Sequence, residues 1–110
     1  MKIQDKTNYI FISSQENNCT DFFLSFEKEY VKYQNNHIIV ETLADFSPSK
    51  ENILLFLKYA ELHQQNGTSF LIVVKNIAID DFPEILNIVP TLEEAQDVID
   101  MENMQRELGF

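Results

Sequence analysis

Ile38-Ile39-Val40-Glu41-Thr42-Leu43, then Asp45-Phe46-Ser47-Pro48-Ser49, then an apolar-patterned segment over residues 53–63 that closes at Asn66-Gly67: the fold turns on this stretch. The opening run is short and rich in β-branched residues, which reads as a strand buried on both faces. Downstream, Ile53, Leu54, Leu57 and Ala60 recur three and four apart and so share one face of a helix. Between the two lies a serine-bearing helix start. Pro48 suits the first helical position, where the missing N–H has no partner to lose, and Ser47 before it is the expected N-cap, with Ser49 exposed in the first turn. Backbone N–H groups and the helix dipole then point at whatever occupies that turn, whether a serine, a phosphate or a partner's carboxylate.

Gly67 supplies a helix stop, and residues 69–75 (Ser-Phe-Leu-Ile-Val-Val-Lys) form a second strongly apolar run, expected as another central strand. Two buried strands joined through a helix make a βαβ unit, with parallel pairing and a right-handed crossover. Upstream, residues 1–4 and 9–13 read as strands joined by a turn over 5–8. Residues 17–20 break the second strand and cap a helix, with Asp21 in its first turn. Phe22, Phe23, Phe26, Tyr30 and Tyr33 recur at helical spacing to about residue 34, a core face in preference to an aromatic binding box.

Downstream, residues 80–86 read as a short helix with Asp80, Asp81 and Pro83 near its start, and residues 87–90 as a short edge strand ended by Pro90. A capping box, Thr91-Leu92-Glu93-Glu94, opens the last helix, whose first apolar face is Leu92, Ala95, Val98 and Ile99. Past Asp100 the apolar residues are Met101, Met104 and Leu108, which at 100° per residue point away from that face. Either the helix bends, or its tail packs on something else, a second subunit among the options. The expected fold class is α/β: residues 1–110 as one domain, with a mixed sheet of about five strands around the central parallel βαβ unit and about four helices.

The net charge of -10 is unevenly placed, since nine of the eighteen acidic residues lie in residues 80–110 beside a single cation, Arg106. Such a field repels phosphate backbones and anionic lipid, so neither nucleic acid nor a membrane surface is an expected partner. No run approaches the roughly 20 apolar residues of a membrane helix, and the start of the chain lacks a signal-peptide core. With the lone Cys19, these features predict a soluble, cytoplasmic protein.

Catalytic signatures are sparse. His37 and His63 stand apart, with no His-x-x-x-His or paired-cysteine spacing, so no metal site is expected. Cys19 has no adjacent basic activator. Helix capping accounts for Asp80-Asp81 and Glu93-Glu94 without acid–base chemistry. Two glycines in the whole chain rule out a phosphate-cradling loop or a dinucleotide fingerprint, so no cofactor is expected.

Element order and two local patterns resemble a known family. Strand, strand, helix, strand, serine turn, helix, strand, short helix, edge strand and capped helix is similar to the STAS domain, the fold of bacterial anti-sigma factor antagonists, here as a small stand-alone bacterial protein. Thr91-Leu92-Glu93-Glu94-Ala95 looks like the start of that family's last helix. The register of residues 53–67 places Ser49 or Lys50 at the family's switch serine, with Ser47-Pro48-Ser49-Lys50 standing where the family usually has Asp-Ser-Ser-Gly. Small bacterial proteins labelled ribonuclease Z are also similar, but that label implies a His-x-His-x-Asp-His zinc motif that two separated histidines do not supply.

The resemblance implies a regulatory, non-enzymatic domain that binds a protein partner, an anti-sigma factor or kinase-like regulator, around Ser47, Ser49, Lys50 and Asn52. Ser49 or Ser47 is then the candidate phosphoacceptor, since a dianionic phosphate at a helix start switches binding without unfolding the domain. The alternative is a structural or assembly protein that homodimerises through Met101, Met104 and Leu108, because methionine-rich faces adapt readily to partners.

Overall fold

A computed structural model of the chain describes residues 1–42, 49–75 and 78–109. Five strands, β1 (Lys2–Asp5), β2 (Ile10–Ser13), β3 (Ile38–Glu41), β4 (Phe70–Val73) and β5 (Asn87–Val89), form one sheet in the order β1-β2-β3-β4-β5. β1 runs antiparallel to β2, and the remaining pairings are parallel, with Ile10 beside Ile38, Ile38 beside Phe70 and Leu71 beside Asn87. The helices are α1 (Cys19–Tyr30), α2 (Lys50–Leu54), α3 (Leu57–Asn66) and α4 (Leu92–Glu107). The fold is α/β with a mixed five-stranded sheet built on the parallel β3–α2/α3–β4 unit.

Because strand order advances in one direction, crossovers of one hand fall on one face of the sheet. Phe22, Phe23, Phe26 and Tyr30 of α1, Ile53, Phe56, Tyr59 and Ala60 of the second crossover, and Phe82 and Leu86 of the third all enter one cluster with Ile10, Ile12, Ile38, Val40, Phe70, Ile72 and Ile88. Aromatic edges fill it: Phe26 meets Phe56 and Tyr59 at centroid separations of 5.1 Å and 4.9 Å, the offset and edge-on geometry that the ring quadrupole favours. Among the described elements, α4 alone returns across the opposite face, where Ala95 and Ile99 cover Ile39, Leu71 and Val73. β3 and β4 are thereby buried on both sides, which is why their sequences are continuously apolar.

Local chemistry sets the helix ends. Asn18 caps α1, accepting from the Asp21 N–H at 2.8 Å, and Thr91 caps α4, accepting from the Glu94 N–H at 3.1 Å. Gly67, at φ 74°, closes α3 with a Gly67 N–H to Gln64 carbonyl bond and a Thr68 N–H to His63 carbonyl bond, a Schellman stop.

Four expectations are corrected. α1 ends at Tyr30, short of residue 34, and continues as turns in which Tyr33 N–H bonds the Tyr30 carbonyl; Tyr33 still packs on the aromatic cluster. The N-cap after β3 is Ser49, which is therefore a capping residue instead of a first-turn residue; Ser47 and Pro48, assigned those roles from the sequence, lie outside the described residues. The single helix expected over residues 53–63 is two: Leu55 and Phe56 bond carbonyls three residues back, a tightening that brings Ile53, Phe56 and Tyr59 into line and inward. Leu54 and Leu57, expected on the core face, pack against the edge of the core cluster and are half-buried. Residues 80–86 form no helix beyond a turn at Ile79–Asp81, because Pro83 forces Phe82 out to φ -116°, ψ 152°.

Candidate functional site

The serine turn opens α2 on the carboxyl side of the parallel strands, where open α/β sheets commonly place ligands. Ser49 and Asn52 form a reciprocal cap: Asn52 N–H donates to Ser49 Oγ at 3.1 Å, while Ser49 N–H and Ser49 Oγ–H donate to Asn52 Oδ1 at 3.1 and 2.9 Å. Ser49 and Lys50 are exposed and Asn52 is half-buried. Three of the four residues singled out from the sequence thus share one surface, while Ser47 lies outside the described residues. The turn holds a rigid, accessible hydroxyl beside one ammonium group. Among the described residues of the turn, the Ser49 hydroxyl proton goes to the Asn52 amide oxygen, which is not a base.

The amino-terminal edge of the strands carries a polar cluster that sequence reasoning missed. Ser69 Oγ–H donates to Glu102 Oε1 at 2.6 Å, Arg106 Nη2 donates to Ser69 Oγ at 2.9 Å, and Asn87 Nδ2 donates to Glu102 Oε2 at 3.3 Å. Arg106 also pairs with Glu102 at 3.6 Å and donates to Asn103 Oδ1 at 2.9 Å. His37 Nδ1 accepts from the Ser69 N–H at 2.9 Å. Burial, then the adjacent Arg106 guanidinium, lowers the His37 pKa against the pull of Asn103 and Glu102. Ser69, His37 and Glu102 are the residue types of a hydrolytic triad, but their wiring is different: the hydroxyl proton goes straight to the carboxylate, the imidazole faces a backbone N–H, and Ser69 is only 1% exposed. The cluster fastens the tail of α4 to the sheet. Its signal was present in the spacing, because Ala95, Ile99, Glu102 and Arg106 fall within an arc of about 60° at 100° per residue.

Beside this cluster, an open cleft of about 580 Å³ is lined by Gln64, Thr68, Asn87, Glu102 and Arg106 among others. Two of its charged groups, Glu102 and Arg106, already pair with each other, and Glu84 lines it as well. His63, fully buried behind it, bonds Thr68 Oγ1 through Nδ1 at 2.7 Å and packs on Tyr30 and Phe70, while its Nε2 and the Tyr30 hydroxyl have no hydrogen-bond partner. Burial, followed by the neighbouring His37, pushes the His63 pKa down to about 4. An imidazole that stays neutral in an apolar wall is a packing element at ordinary pH.

Cys19 is buried at the start of α1, and burial pushes its thiol up, away from the thiolate a nucleophile requires. Among the described residues no group of three or more His, Cys, Asp or Glu side chains could hold a metal ion, and no helix is long and apolar enough to cross a membrane. No family model matches the chain, and no curated protein is significantly similar to it.

Met101, Met104 and the C-cap Leu108 are 52%, 61% and 67% exposed at the end of a continuous α4. The rotated apolar residues of the tail therefore face solvent, and the polar cluster takes their place against the sheet.

Proposed function

We propose that this protein is a STAS-like regulatory domain that acts by binding a protein partner at the serine turn, through Ser49, Lys50 and Asn52 together with Ser47. The observation that carries this reading is the exposed Ser49 hydroxyl fixed in a reciprocal cap at the helix start after the central parallel strand, with Lys50 next to it. Element order and the Thr91 cap of α4 support it. Phosphorylation of Ser49 would put a dianion at the start of α2 and would add negative charge to a surface on which Lys50 and Glu51 now balance, without disturbing the core. An anti-sigma factor or kinase-like regulator is the class of partner such a switch serves, and neither cofactor nor metal is part of the reading.

The test is affinity capture from the native lysate with wild type, Ser49→Ala and Ser49→Asp side by side, read by mass spectrometry for partners and phosphosites. A partner retained by Ser49→Ala and lost from Ser49→Asp, or phosphate on Ser49 or Ser47, is the expected result. A partner held equally by all three proteins, with no phosphate, would reject the switch.

A second reading, homodimerisation through Met101, Met104 and Leu108, is favoured by the exposure of all three on one stripe of α4. Sedimentation of wild type beside Met101→Ser/Met104→Ser tests it; a monomer at every concentration would rule it out.

A further inference from the structure

The outer face of α4 combines two features that nothing in the fold uses. At 100° per residue, Glu93, Asp97, Met101, Met104 and Leu108 lie within an arc of about 80°, flanked by Glu94, Asp100 and Glu107. All eight residues are exposed. The face is also divided along its length: carboxylates occupy the first half, and apolar side chains dominate the second, with Glu107 at its margin. Among the described residues, none of these five carboxylates has an ion-pair partner, as holds for most of the described carboxylates; Glu16, Glu27, Glu29 and Glu102 are the ones that have one. Glu93 and Glu94 benefit from the helix dipole in the first turn, but Asp97 and Asp100 lie beyond its reach and repel neighbours three and four residues away.

The occupant follows from charge and area. A second copy laid parallel along α4 sets carboxylate against carboxylate. Laid antiparallel over the full length, it presses carboxylates onto Met101 and Met104 with no cation to pair them. Copies meeting by their tails alone, as in the second reading above, cover three apolar side chains each and leave the acidic half of the face unused. An amphipathic helix with lysine or arginine at one end of its face and apolar residues at the other uses the whole face, about 24 Å for 16 residues.

We propose that the outer face of α4 is a docking surface for a basic amphipathic helix of a partner protein, its cations lying on Glu93, Asp97 and Asp100 and its apolar residues on Met101, Met104 and Leu108. Electrostatics steers the encounter and sets the direction in which the partner lies, while the flexible thioethers fit its side chains. This surface is separate from the serine turn and does not depend on the role given to Ser49.

The experiment titrates the full chain with a fluorescent leucine–lysine peptide of α4's length, amphipathic as a helix and with its lysines gathered toward one end. A scrambled peptide of identical composition is titrated in parallel. The amphipathic peptide should bind more tightly than the scrambled one, and its affinity should fall with added salt. Asp97→Asn/Asp100→Asn should weaken binding roughly tenfold and flatten the salt dependence, and Met101→Ser/Met104→Ser, which leaves net charge unchanged, should weaken it by a similar factor. Ser49→Ala should leave it unaltered. Equal binding of both peptides, indifference to the methionine substitutions, loss of binding on Ser49→Ala, or a wild-type dimer that Met101→Ser/Met104→Ser dissociates would each overturn the proposal. All four α4 substitutions lie at exposed positions, and circular dichroism of the variants confirms that loss of binding is not loss of fold.

Discussion

The two faces of the sheet are built differently. Among the described residues, eighteen buried ones interlock on the α1/α3 face, with Phe22, Phe23, Phe26, Tyr30, Phe56, Tyr59 and Phe70 at the centre. On the α4 face there are five, three from the sheet and two from one helix. The first face is a self-sufficient core. The second is a narrow apolar strip, prolonged toward the helix tail by hydrogen bonds among Ser69, Glu102, Asn87 and Arg106. Stability is therefore concentrated on the aromatic side, and α4 is the element freest to respond to a partner.

Substitutions on the two faces test this contrast. Phe26→Ala removes the ring that touches the most neighbours and should cost about 3–5 kcal/mol in urea unfolding, against about 2–3 kcal/mol for Ile99→Ala beneath α4. Equal costs would mean that the two faces share one core. His63 should make the aromatic side acid-sensitive. Its folded pKa of about 4 lies below its ordinary 6.5, so the unfolded chain binds a proton first as pH falls, and stability is lost between those values. The full effect is about 3 kcal/mol. In the wild type but not in His63→Leu, unfolding measured from pH 7 to pH 4 should show this component above the carboxylate background.

Smaller effects belong to α4. Ser69→Ala removes a hydroxyl that donates to Glu102 and accepts from Arg106, and should cost about 1–2 kcal/mol. Hydrogen exchange should locate that loss in residues 100–107 more than in residues 92–99; uniform loss along the helix would show that the polar cluster is not a separate fastening. Met104→Ser, on the outer face, should change stability by no more than about 0.5 kcal/mol. A larger loss would place Met104 in an intramolecular contact and remove it from the docking face.

Signals carried by neighbouring residues were legible. The β-branched runs marked the cores of β3 and β4, and Thr91 and the 17–20 turn marked the starts of α4 and α1, because caps and periodicity depend on residues within a turn of one another. The serine turn shows how such signals compete. Ser47-Pro48 satisfies one local rule and Ser49-x-x-Asn52 another, and the second sets the cap from which α2 begins. The break at Leu55 and Phe56 was not legible in the same way, since it comes from fitting Phe56 among Phe22, Phe23 and Phe26, residues more than a helix away in the chain.

By itself, then, the sequence determined the strands, the starts of α1 and α4, the parallel βαβ core and the acidic, partly apolar character of the last helix, all properties of short windows. The tertiary structure decided which side of α4 meets the sheet and what it meets there. Ser69, Asn87 and His37 reach that seam from the first residue of β5 and the residues preceding β3 and β4, and only the register of β3, β4 and β5 brings them to Glu102, Asn103 and Arg106. A half-buried carboxylate and guanidinium are held where their partners converge, and that convergence is a property of the folded sheet.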